Sequence, residues 1–537
     1  MHSVIEDLVN HIHQTGLLFT QACSPAEITR QSLSLAIRLI KSGRTLPDSL
    51  LAITSLPQAS SAHNLLPQRA ACLMTFLGLK FQLNDHYLQH LVAATFAVCS
   101  LKNNAEQQEG CQLFWRERRL IFFSGLLKLQ KVAQAPAPHR FLHPHRLNEE
   151  QSLFISVISL IKNQQGSMVS RLKPVIPRTN EREQHRFESL LKYPGEFMPG
   201  CAVSFPKGEG VFLFTLTFTT GAVLRGSGDV EEKHLRQIKI TRYQALSLNE
   251  WLSEVKACDA AFKPAVRQLI PDTYPVSRLP GDLQTIITSL HDTNTDIHKL
   301  SRRLSHMPVF SDYLKKTASL DNRLQLPVKD VKQAIMTYGL TRVGDMLIMR
   351  ALNQRLHQRH FPLLAVCIRF AELVAAIASE LAERGHVKQT PQTAALIATF
   401  ITAPLFTLHA LKVIKHWPLQ RQRLYQLTAL QETETQPLPA LSASLAKQWQ
   451  QPARYQAVIS YYSTLPAHMP ESVRADAALA GLSILLANKW LFGGAECEDT
   501  KLFQSQALQS LKLTPSSLSE IAGVTSYLMW LPLRQRS

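Results

Sequence analysis

Residues 326–349, LPVKDVKQAIMTYGLTRVGDMLIM, decide how the second half of the chain is read. Pro327 suits the first turn of a helix, where a missing N–H leaves no hydrogen bond unmade. Val331, Ile335 and Tyr338 recur at i, i+4 and i+7, giving that helix one apolar face. Gly339 stands where helices commonly end in a left-handed residue. Thr341 is placed to cap a second helix whose Val343, Met346 and Leu347 turn inward. The stretch predicts two short helices meeting at a tight glycine turn.

The 537 residues around it suffice for two to four domains. Hydrophobic residues make up 45% and charged residues 18%, the balance of an ordinary globular protein. Glycine is sparse, at 21, while Leu, Ala, Gln and Lys/Arg abound, which favours helices. The net charge of +18 suits nucleic acid, anionic lipid or an acidic partner, and equally a dispersed background of solvated charge. Eight cysteines (Cys23, Cys72, Cys99, Cys111, Cys201, Cys258, Cys367 and Cys497) form no CxxC pair. Zinc-ribbon and thioredoxin spacings are thereby excluded. Those within apolar runs, such as Cys99 and Cys367, read as buried thiols. MHSVIEDLVNHIHQ at the N-terminus carries acids and no apolar run of signal-peptide type, so the chain is expected to be cytoplasmic. Thr393 to Leu411 contains no Asp, Glu, Lys or Arg, but its threonines, His409 and Pro404 make it a buried helix followed by a turn, not a membrane span.

Three regions are expected. Residues 1–165 form an N-terminal helical region. Its segment PAEITRQSLSLAIRLIKSG places Ile28, Leu33, Ala36, Ile37, Leu39 and Ile40 on one stripe, with Pro25 and Gly43 as start and stop. APAPHRFLHPHR is a proline-punctuated loop, and its His139, His143 and His145 read as solvated rather than metal-ligating, since no carboxylate or thiolate stands beside them before Glu149. Residues 170–262 form a small β-containing domain. Apolar and polar residues alternate over Phe212 to Thr219, glycine turns flank that run, and LRQIKITRYQ supplies a further strand. Just upstream, Arg178 and Arg182 form an RxxxR pair. That pair is similar to the cyclic-di-GMP clamp of PilZ domains, where guanidinium forks grip phosphate and guanine, although the family's D/N-x-S-x-x-G turn is missing. Residues 275–530 form a third, helical domain.

Within that third region, AIMTYGLTRVGDM resembles the central turn of the HDOD domain, the HD-related output domain of bacterial signalling proteins. The resemblance runs from about Val276 to Tyr527 through segments in the family's order: VSRLPGDLQTIITSL, DIHKLSRRLSHMPVFSDYLKKTASL, CIRFAELVAAIASELAERG, TAALIATFITAPLF, ASLAKQWQQPARYQAVISYYSTLP with Trp449, Pro452 and Ile459, and the closing helices ADAALAGLSILLANKWLFGG and QALQSLKLTPSSLSEI. Met307-Pro308 replaces the usual Asp-Pro, and Ala318-Ser319 the usual Asn-Ser. The resemblance implies an HDOD-type helical C-terminal half; with the helical spacing of the N-terminal region and the small antiparallel β unit between them, the expected fold is mainly α.

It also implies what became of the HD chemistry. True HD phosphohydrolases hold a metal with a His-Asp pair and further histidines, and the metal makes the hydroxide nucleophile. Here the His-Asp position falls on Thr402 and Ala403, the paired histidines on Tyr461 and Tyr462, and the first-ligand helix offers Arg369 and Phe370. None of these replaces an imidazole or carboxylate on a hard divalent cation. His291-Asp292 is an HD dipeptide outside the catalytic segment. No phosphate loop, GxSxG elbow or HExxH helix occurs. The expectation is a non-catalytic regulatory protein without metal or cofactor, working through a signalling protein partner. Its rivals are a cyclic-di-GMP effector using Arg178 and Arg182, and a nucleic-acid binder using basic clusters at Arg116-Glu117-Arg118-Arg119, Arg302-Arg303, Arg355 to Arg359 and Arg421 to Arg423.

Overall fold

The structure, a computed structural model, describes residues 24–58, 65–101, 105–143, 146–163, 166–206, 208–258, 262–271, 273–291, 296–321, 327–427, 437–493 and 497–530. Cys23, His145, Asp292, Leu326 and the N-terminal stretch 1–23 lie outside these residues, as does the His291 side chain. Described residues form 24 α-helices and one five-stranded antiparallel sheet, so the chain is mainly α with a small β unit between helical regions. They group into two compact units that divide between residues 272 and 273.

The first unit opens with α1 (Pro25–Thr45), α2 (Pro47–Ser55), α3 (Leu66–Lys80) and α4 (Asp85–Ser100). Next come α5 (Ala105–Glu117), α6 (Ile121–Leu127), α7 (Gln130–Gln134), α8 (Glu149–Lys162), α9 (Met168–Leu172) and α10 (Glu181–Lys192). Ser24 caps α1 by accepting from the Glu27 N–H. The expected stripe is present in Ile28, Ala36, Leu39 and Ile40, but Ile37 is exposed and the helix runs two residues past Gly43. Helices α3 and α4 are buried on nearly every side and form the centre of the unit.

The sheet follows as β1 (Cys201–Phe205), β2 (Gly208–Thr215), β3 (Thr220–Arg225), β4 (Val230–His234) and β5 (Lys239–Arg242), in the spatial order β4-β3-β2-β1-β5. The alternation expected to run to Thr219 stops at Thr215. Residues 216–219 form the turn into β3, where the Thr217 hydroxyl accepts from the Thr219 and Thr220 N–H groups. Phe212 to Thr215 are all buried because both faces of β2 are covered. Phe212 joins Cys201, Val203, Val223 and Ile238 in a small core. On α11 (Leu248–Ala257), the Trp251 indole donates to the Leu213 carbonyl over 2.9 Å. α12 (Val266–Leu269) ends the unit.

One buried carboxylate ties the sheet to the helices. Asp48, in the first turn of α2, accepts from the Tyr193 hydroxyl at 2.9 Å and from the Thr215 N–H at 3.2 Å. Burial raises its pKa to about 7, against the lowering effect of those two hydrogen bonds. The folded carboxyl thus keeps its proton to about pH 7, while the unfolded one releases it near pH 4. Its contribution to stability is fully present below about pH 4 and is lost as pH rises through 7. Asp48→Ala should cost about 2–4 kcal/mol in denaturant unfolding, since two buried donors lose their acceptor. Asp48→Asn should cost less and remove the pH 4–7 slope; an unchanged slope would dismiss this assignment.

The second unit is all-helical in its described residues. It comprises α13 (Gly281–His291), α14 (Ile297–Ser305), α15 (Pro308–Asp321), α16 (Val331–Tyr338), α17 (Leu340–Leu356), α18 (Leu364–Arg384), α19 (Pro391–Thr402), α20 (Leu438–Gln448), α21 (Ala453–Tyr461), α22 (Arg474–Phe492), α23 (Glu498–Leu511) and α24 (Pro515–Thr525). The two helices expected around Gly339 are α16 and α17, and Val331, Ile335, Tyr338, Val343, Met346 and Leu347 all face inward. The ends differ from expectation. Asp330 caps α16, so Pro327 lies ahead of the helix in irregular chain. Gly339, at φ 78° and ψ 163°, closes α16 and opens α17 by itself. That leaves Thr341 inside the first turn of α17, not at its cap. The backbone pair at Gly339 is one that essentially only glycine adopts.

Helices α18, α19 and α22 pack together as the centre of this unit. The Trp449 indole donates to the Val276 carbonyl over 2.8 Å and fastens the opening segment to the end of α20. Ser319 accepts from the Val328 N–H at 2.8 Å and so holds the approach to α16. The run from Thr393 is a buried helix followed by a 3-10 turn, Ala403–Phe406, as expected. Among described residues one helix, Arg474–Phe492, is long and apolar enough to cross a membrane, and 78% of it is buried within the protein.

Candidate functional site

The positions matched to the HD pair close the central helix α19. Thr402 is its last residue and Ala403 opens the 3-10 turn; both are fully buried. The Thr402 hydroxyl lies 3.0 Å from the Ala398 carbonyl and 3.2 Å from that of Thr399, so it donates into its own helix. Ala403 offers no side-chain donor or acceptor. Tyr461 ends α21, which packs on α19. Tyr462 is buried, and that burial pushes its phenol well above the usual range, keeping it neutral. Tyr461 is 38% exposed, so the pair splits between interior and surface. Gly481 on α22 admits the Tyr462 backbone: a Cβ there would lie 2.4 Å from the Tyr462 carbonyl oxygen. On α18, Phe370 stacks with Phe492 at 5.8 Å and meets Trp417 in a tilted contact at 5.4 Å, while Arg369 pairs with Glu372 at 3.6 Å. Among described residues no group of three or more His, Cys, Asp or Glu is placed to hold a metal ion.

The sequence reading missed the charge nearest this place. Lys412 follows directly on the uncharged run that ends at Leu411, and it is 1% exposed. Its ammonium donates to the Leu405 carbonyl at 3.1 Å and sits 3.5 Å above the Phe361 ring. The Cys367 thiol donates to the same carbonyl. No carboxylate of the described residues forms an ion pair with Lys412. Burial lowers its pKa to about 7, with Cys367 pulling weakly the other way. The first lysine after a long uncharged stretch was the available signal, but nothing in the sequence said that the chain turns it inward.

Lys412→Met should therefore stabilise the second unit, by on the order of 1–3 kcal/mol, since methionine fills similar space without a buried charge. The folded lysine releases its proton near pH 7 and the unfolded one near 10.4. Wild-type stability should rise with pH across that window, and the rise should vanish in the variant. Urea unfolding at pH 7 and pH 9.5 checks both; equal slopes in the two proteins would refute it.

The remaining candidates are spread over the surface. Arg178 lies on a short 3-10 turn and donates to the Pro174 carbonyl at 3.0 Å; Arg182 is exposed in the first turn of α10. Arg178 precedes α10 and Arg182 is its second residue. His139 lies in a 3-10 turn, Pro138–Phe141, where a loop was expected, and His143 follows it in irregular chain; neither joins a metal-binding group among the described residues. Arg116, Arg118 and Arg119 are exposed beside a buried Trp115, whose indole donates to the Thr29 hydroxyl at 2.8 Å. Arg355 lies 4.0 Å over the Tyr274 ring and Arg359 bonds the Thr273 hydroxyl, so these two fix the start of the second unit. Arg423 pairs with Asp499 at 3.1 Å. On α14 the exposed positions include His298, Lys299, Arg302 and Arg303, and Leu300, Ser301 and Leu304 are buried.

Residues 276–465 match the sequence model of the HDOD domain, which places the family within the second unit; the N-terminal half is not matched by it. No curated protein matches the chain. Among solved structures, an HDOD domain protein of unknown function from Geobacter sulfurreducens is similar at 18% identity, covering 48% of this chain and 95% of its own, with a TM-score of 0.34. A protein of Shewanella amazonensis SB2B named "Putative phosphohydrolase" is similar at 16% identity, over 47% of this chain and 92% of its own, with a TM-score of 0.33. The MmoQ response regulator of Methylococcus capsulatus is similar at 15% identity, over 47% and 98%, with a TM-score of 0.26.

Proposed function

We propose that this is a bacterial cytoplasmic signalling or regulatory protein whose HDOD domain acts by binding a protein partner and does not hydrolyse phosphodiesters. One observation carries the reading. At the positions matched to the HD ligands, the Thr402 hydroxyl is committed to its own helix, Ala403 is inert and Tyr462 is held neutral. A hydroxide nucleophile needs a Lewis acid held by imidazoles or carboxylates, and these side chains supply neither. A folded, ligand-poor helical domain retains its surface as its means of action. Purified protein with Mn²⁺ or Mg²⁺ should show no hydrolysis of cyclic dinucleotides or (p)ppGpp, and the C-terminal unit should retain a specific protein in pull-downs from the native host. Turnover that disappears on changing residues around Thr402 would overturn the reading.

A second reading, nucleic-acid binding, is favoured by the exposed side of α14, where His298, Lys299, Arg302 and Arg303 gather. Such binding would weaken steeply with salt, with a log–log slope of about −0.9 per phosphate contacted on duplex DNA. The first reading expects DNA binding to be weak and to vanish near physiological salt, because the other basic clusters lie on separate helices and several of their arginines are engaged. Replacing Arg116, Arg118 and Arg119 together should leave partner binding intact. A salt-resistant, sequence-preferring complex would decide for the second reading.

A further inference from the structure

We infer that a cleft at the N-terminal end of α19 binds a small molecule through a carboxylate or phosphate group. The cleft measures about 230 Å³ and is walled by α17, α19, α21, α22 and the segment leading into α19. It is not the degenerate HD position. From Thr393, in its wall, to Thr402 is nine residues of one helix, a rise of about 13 Å.

The acids here are already supplied with donors. Asp476, buried on α22, accepts from the Lys388 backbone N–H at 3.3 Å and from the Arg454 guanidinium. Asp345, buried on α17, accepts from the Thr393 hydroxyl at 2.5 Å and hydrogen-bonds Tyr455. What the cleft still offers is mainly donors. Arg454 commits one edge of its fork to Asp476 and keeps its side chain 43% exposed. Lys388 is exposed on the rim. Gln389 lines the cleft with both amide atoms buried and neither hydrogen-bonded. A buried amide left this way calls for a partner that supplies an acceptor and a donor together. The start of α19, capped by Thr390 onto the Thr393 N–H at 3.2 Å, adds the partial positive charge of a helix N-terminus.

Size and charge narrow the class. The cleft's modest volume of about 230 Å³ suits a small molecule. Lys388 and Arg454 are balanced by Asp345 and Asp476, so the cleft has no excess charge to gather polyanions. Recognition rests on directed donors: the anionic group toward Arg454 and Lys388, and a hydroxyl or amide handle toward Gln389. The inference goes beyond the partner-binding reading and stands or falls apart from it, because its test needs no partner.

Ligand-detected NMR and calorimetry on the full chain supply that test, with two arms: inorganic phosphate and glycerol 3-phosphate, and lactate and glutamine. At least one probe should bind with Kd below about 1 mM. The arm that binds identifies the anionic group. Lys388→Ala, a surface change that leaves the packing intact, should weaken binding about tenfold, a loss of ~1.4 kcal/mol. Gln389→Glu should abolish it by placing a negative charge against the ligand. Circular dichroism confirms that both variants are folded. No binding by any probe at 10-fold higher concentration, or binding indifferent to both substitutions, would overturn the inference.

Discussion

The second unit depends on the burial of one helix without a charged side chain. From Leu396 to Thr402, α19 is out of contact with water, so its polar groups must be satisfied within the helix or by immediate neighbours. Thr399 and Thr402 meet that demand by donating to carbonyls one turn back. The same demand sorts the helix into two ends. Its C-terminal end closes in apolar packing, where a metal-binding pair would be a charge with nothing to balance it. Its N-terminal end, reached by loop and solvent, collects the carboxylates, hydroxyls and guanidinium that the interior refuses.

Lys412 marks the limit of that rule. Its ammonium lies as deep as the surrounding leucines, with a carbonyl and an aromatic face as its near neighbours. Such a group survives by giving up its proton readily, and it makes the turn after α19 sensitive to pH. Asp48 presents the mirror case in the first unit, a carboxyl that keeps its proton because burial outweighs two good hydrogen bonds. Asp48 and Lys412 respond to pH in opposite senses over different windows.

Function follows from where polarity was allowed to remain. The apolar end of α19 closes on Thr402 and Ala403, and the polar end holds the unpaired amide of Gln389. Basic residues elsewhere are partly structural: Arg355 and Arg359 anchor the opening segment, and Arg423 meets Asp499. The formal charge of +18 therefore overstates the surface free to meet a polyanion.

The sequence by itself determined the helical class, the small sheet, the HDOD-domain match over residues 276–465, and the Gly339 junction. These rest on local periodicity and on the order of segments, which composition and spacing carry directly. Trp449 was legible as a marked residue, but its bond to Val276, across 173 residues, was not. The same holds for Asp48, whose partners lie 145 and 167 residues away, and for the Asp345–Thr393 bond, 48 residues apart. Ordinary aspartates, a lysine at the end of an apolar run and a glutamine beside a helix start have no signature along the chain. Only the tertiary structure decided their surroundings, because burial and hydrogen bonding arise between segments distant in the chain.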